Sequence, residues 1–525
     1  MPVAGPRAAS LPAGRRAPRA ARPLALVREN PAFVAVLAVG LGVRALAVIA
    51  YTPALFFGDS WGYVVSAFSG HPVAISNIRP SGYAALMRVL TIPGRDLTQL
   101  VVLQHLAGLA TGTIVYVVLV RARIPRTAAA LASALVFLDG YVIALEQHLM
   151  PEAFFTPTLL VSALLLCWPA LRAAGSPPAT SARVVRPGVR AAAIAGLLLA
   201  AAILQRTAGL FAIPFFAVYL LWIRVGAKAF VAFVLALALP VLAYAAAEKS
   251  RFGTFGLSQT DGWVLYGRVA GFADCAGARI PADALPLCET AAQRASHPDA
   301  GDWYIFDLDS PAVRLFGGYA TTVSAQRHSN QVLGAFAHRI IVHQPLDYLE
   351  AVARDVVRYF TPGATPFADN VSATSLPADV SDEEVVADVR DRYLPSLHLA
   401  VRSPSGVVRA YRSAVHVPRP VLALLVLAAI VALVLRTPWR REILLLSGSG
   451  LGLIVGAAAS AGFGLRYLEP SVPLIAIGGT LAAFDLWARF ARRGTIGHDQ
   501  DAQQHSTIVA PRSVARAEQA RADRP

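Results

Sequence analysis

The chain has 525 residues, of which 56% are hydrophobic and 15% are charged, and its mean hydropathy is +0.53. Globular proteins carry about 25% charged residues, so this composition excludes a soluble protein of two or three domains. The formal net charge of +15 does not indicate a nucleic-acid partner, because the basic residues form short clusters between apolar blocks. We therefore predict an integral protein of the plasma membrane.

Apolar blocks of the length that crosses a bilayer follow one another along the chain. Residues 1–30, before the first block, are basic and rich in proline and alanine, which predicts a disordered cytoplasmic tail. We predict ten transmembrane helices, at residues 31–51, 100–120, 127–145, 153–171, 190–204, 207–223, 227–247, 419–435, 443–463 and 471–487.

The connections between these spans set the predicted topology. Arginine-rich clusters with almost no acidic residues follow the even-numbered spans, so both termini are predicted to be cytoplasmic. The transmembrane core, 31–247, then contains a first outer loop at 52–99. Residues 248–418, here called the inter-span segment, carry both signs of charge and are predicted to form an extracytoplasmic domain between spans seven and eight. The C-terminal helices end at 489, and residues 490–525 are predicted to be a disordered cytoplasmic tail.

Two of the three cysteines, Cys275 and Cys288, fall in the inter-span segment. Outside the cytoplasm the environment is oxidising, so this spacing predicts a small disulfide loop, with two free thiols as the alternative. Cys167 lies within a predicted span, where ordinary packing accounts for it.

Four polar clusters lie at the predicted outer face, and the first follows span one. The stretches FFGDSWGYVVSAFSG and NIRPSGYAALMRVL contain Asp59, Tyr63, Arg79 and Tyr83. A carboxylate at the membrane surface could take a proton from a hydroxyl acceptor. Asp59 also fits a cap for the helix that follows it, and the pattern leaves both interpretations open.

The second cluster, EQHLMPEAFF, precedes span four and contains Glu146, His148 and Glu152. One of these residues could assist the first carboxylate or hold a cation, or the cluster could be a polar turn. Their spacing matches no standard metal motif, so no metal site is predicted.

The third and fourth clusters supply basic residues. Arg206 interrupts a long apolar run, and Arg466 and Tyr467 precede the last span. An arginine presents a planar fork of donors that suits a phosphate, although an interfacial anchor is the alternative for both arginines. Nucleotide-binding, nucleophile-elbow and zinc signatures are missing from the sequence, so no cofactor is predicted.

In this order the four clusters resemble the GT-C glycosyltransferases, a superfamily that includes the lipid A aminoarabinose transferases and the protein O-mannosyltransferases. The resemblance implies an inverting enzyme that moves a sugar from a polyprenyl-phosphate carrier to an extracytoplasmic acceptor. It implies Asp59 as the catalytic base, Arg206 and Arg466 as phosphate ligands, and Glu152 as a second acidic residue. Many members carry an acidic pair in the first loop, whereas Ser60 follows Asp59 here, which does not favour a divalent metal.

Two other classes of function are alternatives to this interpretation. A transporter or flippase of a lipid-linked or small polar substrate should show internal repeats and charges near the middle of the membrane, whereas the charged residues here fall at the predicted span ends. In a non-catalytic scaffold, substitution of Asp59 or Arg466 would not impair function.

Overall fold

The computed structural model describes residues 29–69, 75–92, 96–174, 185–297, 301–318, 323–363, 374–379 and 384–508. All but two residues of the predicted N-terminal tail lie outside these ranges. The regular secondary structure of the described residues is helical, apart from one short pair of strands.

The first part of the chain contains the helices that precede the inter-span segment. They are α1 (Pro31–Ala50), α2 (Gly58–Phe68), α3 (Gly82–Leu90), α4 (Leu97–Arg121), α5 (Arg126–Phe137), α6 (Gly140–Gln147), α7 (Glu152–Ala174), α8 (Val189–Gln205), α9 (Ile213–Trp222) and α10 (Ala227–Phe252). A 3-10 turn, Thr207–Ala212, connects α8 to α9. Gly253 follows the last residue of helix α10 and caps its C-terminal end. Its φ of +79° suits a residue without a Cβ.

The inter-span segment and the C-terminal part follow. Their helices are α11 (Asp261–Ala270), α12 (Ala291–Ala295), α13 (Gly301–Phe306), α14 (Pro311–Phe316), α15 (Val323–His343), α16 (Pro345–Arg358), α17 (Glu384–Tyr393), α18 (Ser405–Ala414), α19 (Arg419–Val434), α20 (Arg440–Ile443), α21 (Ser449–Ser460), α22 (Leu465–Leu468) and α23 (Val472–Ile508). Helix α23 continues beyond residue 489, where the sequence placed the start of a disordered tail.

The protein is an integral membrane protein, and its apolar helices differ from the predicted set. Within the described ranges, six helices are long and apolar enough to cross a membrane, or up to eight spans if each of two bent helix pairs counts as one. The predicted span at 127–145 is one of these pairs, since α5 and α6 meet at 44°. Helix α8 has only 17 residues, and Arg206 in extended conformation separates it from the next turn. The count of ten spans is therefore not confirmed.

The break between α5 and α6 is stabilised by polar groups on both sides. The Asp139 carboxylate accepts a hydrogen bond from the Tyr141 N–H at 2.7 Å and so caps α6. Arg44 of α1 donates to the Phe137 carbonyl at 2.6 Å, at the open end of α5. The bend therefore leaves neither helix end without a partner.

Arg44 also forms an ion pair deep inside the helix bundle. Its guanidinium donates to both carboxylate oxygens of Glu146, at 2.7 and 2.9 Å, and the side chains are 1% and 2% exposed. His105 Nδ1 lies 2.8 Å from the same carboxylate. A charge in this position is tolerated only when it is paired and hydrogen-bonded, so this cluster holds α1, α4 and α6 together.

The inter-span segment has its own hydrophobic core, built around the buried side chains of Trp263, Tyr266, Tyr304 and Phe336. A two-stranded antiparallel pair connects this segment to the first helix: β1 (Tyr51–Thr52) follows α1 directly, and β2 (Ala400–Val401) precedes α18. The inter-span segment is therefore joined to the membrane part by backbone hydrogen bonds as well as by the chain itself.

Cys275 and Cys288 are joined by a disulfide in the structure, 13 residues apart. Because a crosslink of this length restricts the unfolded chain, the double replacement Cys275→Ser and Cys288→Ser should destabilise the inter-span segment by about 3 kcal/mol. Thermal unfolding of the purified protein would measure this, with reductant-treated wild type as the matched control. Equal unfolding midpoints for oxidised wild type and the double variant would show that the bond is dispensable.

Candidate functional site

A cavity of about 1490 Å³ lies where the helix ends of the membrane part meet the inter-span segment. Most of the predicted site residues line it, although they come from four separate stretches of sequence: Asp59, Tyr63, Arg79, Glu152, Arg206, Arg466 and Tyr467. Each of the four polar clusters thus contributes at least one residue to the lining of this cavity.

One wall of the cavity, here called the charged wall, is formed by Asp59, Arg79, Glu152, Arg206 and Arg466, and Asp59 contacts two of its arginines. It lies in the first turn of α2, and its two carboxylate oxygens accept from different arginines: Arg79 at 2.9 Å and Arg466 at 2.7 Å. The N-cap residue of α2 is Phe57, and among the described residues the Asp59 carboxylate accepts from arginines rather than from a backbone N–H, so the capping interpretation does not describe Asp59. Burial alone would raise the pKa of Asp59, but the charges of Arg79 and Arg466 outweigh it and hold the pKa well below its usual range.

Aromatic rings hold these arginines in position. Arg79 lies over the Tyr63 ring at 5.1 Å, and Arg466 lies 5.0 Å from the Tyr467 ring while donating to its hydroxyl at 3.0 Å. Arg206 lies 4.9 Å from that same Tyr467 ring. Two guanidinium groups therefore contact one aromatic residue.

Arg206 is paired with Glu152, which begins α7. The Glu152 side chain is 3% exposed and that of Arg206 is 13% exposed, so the pair is largely removed from water. Across the wall, three arginines face two carboxylates, which leaves one formal positive charge. This excess of guanidinium donors is local to the charged wall, since six arginines and seven acidic residues line the cavity as a whole. A local excess of this kind suits the anionic part of a ligand.

Three predicted residues do not line the cavity. The Tyr83 side chain is buried, and its hydroxyl donates to Gln104 at 2.6 Å. Glu146 belongs to the ion pair with Arg44. His148 is buried with Nδ1 2.7 Å from the Ala144 carbonyl, and burial lowers its pKa to about 4, so it is uncharged at neutral pH. Their positions next to polar turns predict a site, but the structure gives them buried hydrogen bonds and an ion pair away from the cavity.

The inter-span segment supplies cavity residues that the sequence did not single out. Arg268 donates to Asp355 at 2.7 Å, and Arg358 contacts the other oxygen of that carboxylate at 3.2 Å. Asp302 and Trp303 of α13 also line the cavity. The stretch DWYIF, in which an acidic residue precedes aromatic residues, is a local signal for these positions.

Among the described residues, no group of His, Cys, Asp or Glu side chains has an arrangement that could hold a metal ion. Asp59 and Glu152 are engaged with arginines instead.

Comparisons with known proteins give structural likenesses only. No protein-family model and no curated protein matches the chain. Archaeal oligosaccharyltransferase AglB from Archaeoglobus fulgidus, in complex with an inhibitory peptide and a dolichol-phosphate, is 14% identical over 89% of this chain and 52% of its own, with a TM-score of 0.32. This chain therefore spans about half the length of AglB.

ArnT from Cupriavidus metallidurans bound to undecaprenyl phosphate is also 14% identical, over 86% of this chain and 77% of its own, with a TM-score of 0.32. The geometry of the site given above comes from the residues of this chain alone.

Proposed function

We propose that the protein is a membrane glycosyltransferase of the GT-C type, which moves a sugar from a polyprenyl-phosphate donor to an extracytoplasmic acceptor in the cell envelope. One observation carries this proposal: Arg79, Arg206 and Arg466 gather around Asp59 and Tyr467 at a large cavity beside the apolar helices. A lipid-linked phosphate is stabilised by positive charge at the boundary between membrane and water, and the three arginines supply that charge.

The chemistry requires two kinds of group. When the sugar leaves the carrier, negative charge grows on the phosphate, and Arg206 and Arg466 are placed to bind it. A carboxylate must also take the proton of the acceptor hydroxyl. The resemblance assigns that step to Asp59, but two guanidinium groups hold its carboxylate in the structure, so it would have to lose one of them to become an effective base.

Purified protein incubated with a panel of polyprenyl-phosphate sugars tests the proposal. Consumption of one donor with release of the polyprenyl phosphate is the expected result, and it would identify the sugar. If no donor in the panel binds, the glycosyltransferase proposal fails.

Arg466→Ala should raise the Kd for the active donor at least about tenfold, because one charge-assisted contact to the phosphate is lost. Donor titration measures this. Arg314→Ala is the matched control, since Arg314 pairs with Asp309 at an exposed position outside the cavity lining. An unchanged Kd would return Arg466 to the role of an interfacial anchor.

A transporter or flippase is the second candidate, and one observation favours it. Arg44 and Glu146 place charges inside the membrane part, next to the broken helix pair α5–α6, and both features occur in transporters. The expectation that charges fall only at span ends is therefore wrong for Arg44. Proteoliposomes that translocate an intact lipid-linked sugar, without breaking its phosphate bond, would support this function instead.

A further inference from the structure

Helix α16 carries a stripe of apolar side chains that the described residues leave largely uncovered. Leu346, Leu349, Ala353 and Val357 follow one another at spacings of three and four residues, so they lie on one face of the helix. Leu346 is 77% exposed, Leu349 is 59% exposed and Val357 is 62% exposed. Contact between such a continuous apolar face and water is unfavourable, so the face requires a partner.

The other two faces of α16 already have neighbours. Val352 and Val356 pack against the hydrophobic core that the membrane helices share. Asp347, Arg354 and Arg358 belong to the lining of the cavity. Because successive residues of a helix are about 100° apart around its axis, these two sets and the apolar stripe occupy three separate parts of the circumference. The stripe therefore adjoins both the membrane helices and the cavity wall.

Two tyrosines place α16 at the end of a candidate transmembrane helix. The span Arg440–Ser460 has 21 residues, which corresponds to about 30 Å, the thickness of the hydrocarbon core. At its end, the Tyr348 hydroxyl donates to the Ala459 carbonyl at 3.0 Å, and the Tyr359 hydroxyl donates to the Gly462 carbonyl at 3.1 Å. Contacts from both halves of α16 thus fall at the same end of this span. The helix lies where the hydrocarbon core meets the headgroups.

We propose that α16 is an interfacial helix, whose apolar stripe contacts the acyl chains of the adjacent membrane leaflet while its polar face borders the cavity. Acyl chains fit this face because they offer no hydrogen bonds, and the leucine, alanine and valine side chains of the stripe require none. A helix with faces divided in this way lies in the plane of the interface, with its apolar side about 5–10 Å below the headgroups. The inference concerns contact with lipid and goes beyond the proposed glycosyl transfer.

Nitroxide labels on single cysteines test this contact. Cys167 is the cysteine outside the disulfide, so Cys167→Ala provides the background. Leu349→Cys and Val357→Cys place labels on the stripe. Arg354→Cys is the matched control, because its side chain is also 59% exposed but lines the cavity.

The labelled proteins are reconstituted in vesicles of phosphatidylcholine and phosphatidylglycerol. Power saturation of the nitroxide spectrum then compares collisions with oxygen, which concentrates in lipid, and with a water-soluble nickel chelate. We expect the ratio of oxygen accessibility to nickel accessibility to be several-fold higher at Leu349 and Val357 than at Arg354.

A second measurement uses the wild-type chain, so that a substitution that disturbs the fold cannot decide the result. A phospholipid with a diazirine in its acyl chain is added to the same vesicles and activated with light. Peptide mass spectrometry should find lipid adducts on Leu346 or Leu349. Helix α12, none of whose residues is buried, serves as the internal control and should carry no adducts.

Two results overturn the proposal. A ratio at Leu349 and Val357 as low as that at Arg354, together with an α16 free of adducts, would place the helix in water. Low accessibility of the stripe to both oxygen and nickel would mean that protein covers it, either a second copy or another part of the chain. Neither measurement requires a sugar donor, so a failure of the glycosyltransferase proposal would leave both results interpretable.

Discussion

Asp59→Asn abolishes sugar transfer while the protein still inserts and folds; this is the largest effect on activity that we expect. The amide has nearly the same shape as the carboxylate but carries no charge, so Arg79 and Arg466 lose the anion that holds both of them. We expect transfer to fall by at least about 100-fold, because positioned charge around a leaving phosphate contributes strongly to such rates. Donor consumption by purified protein measures the loss.

The Asp59 side chain is 25% exposed, so its replacement should not unfold the protein, and the thermal midpoint provides the check. Asp96→Asn is a suitable control: Asp96 caps α4 by accepting from the Thr98 N–H at 2.8 Å and does not line the cavity. Asparagine caps helices as well as aspartate does. Normal transfer by Asp59→Asn would remove this residue from the reaction altogether.

Glu146→Ala should have the largest effect on stability. It leaves the buried guanidinium of Arg44 without its carboxylate and takes a hydrogen-bond partner from His105. Removing one member of a buried ion pair costs about 3–5 kcal/mol, because the other charge stays buried and unpaired. Reversible unfolding in bicelles, or the thermal midpoint in detergent, would record the loss.

Two further variants test whether the stability lost in Glu146→Ala comes from the unpaired buried charge or from lost side-chain packing. Glu350→Ala breaks an ion pair whose side chains are 59% and 71% exposed, so stability should change by no more than about 0.5 kcal/mol. The double variant Arg44→Met with Glu146→Met should recover much of the loss, because neither side chain then carries a charge. Stability of Glu146→Ala equal to that of wild type would mean that water reaches Arg44.

The sequence predicted the apolar helices well where the signal was continuous, as in α1, α4, α7 and α10. It missed the break within 127–145 because the residues on both sides are equally apolar and Asp139 is a single polar residue among them. It also missed the role of Arg44, since the partner that stabilises this charge lies 102 residues further along the chain. A hydropathy profile reports only the polarity of residues that are neighbours in the sequence. The break between α5 and α6 and the Arg44–Glu146 pair both depend on contacts between residues far apart in the sequence.

The residues of the candidate site were likewise only partly predictable from the sequence. Residues at the ends of apolar helices could be grouped because such ends meet at the same membrane surface, and Asp59, Arg206 and Arg466 do line one cavity. Glu146 and His148 satisfied the same pattern but are buried within the packed part. The Arg268–Asp355 pair at the cavity could not be predicted, because it joins residues 87 positions apart in the inter-span segment.

The buried pair of Arg44 and Glu146 has a consequence for how the chain is made. At about 5–20 residues per second, the ribosome needs roughly 5–20 s to synthesise the 102 residues between them. During that time α1 must enter the bilayer with its arginine unmatched, which costs about 2.5–3.5 kcal/mol at a helix centre. The mean hydropathy of 2.4 in α1 offsets this cost. Arrival of α6 then fixes the orientation of a helix that is already inserted, so the packing of α1 is completed only when a segment 102 residues further along the chain has been made.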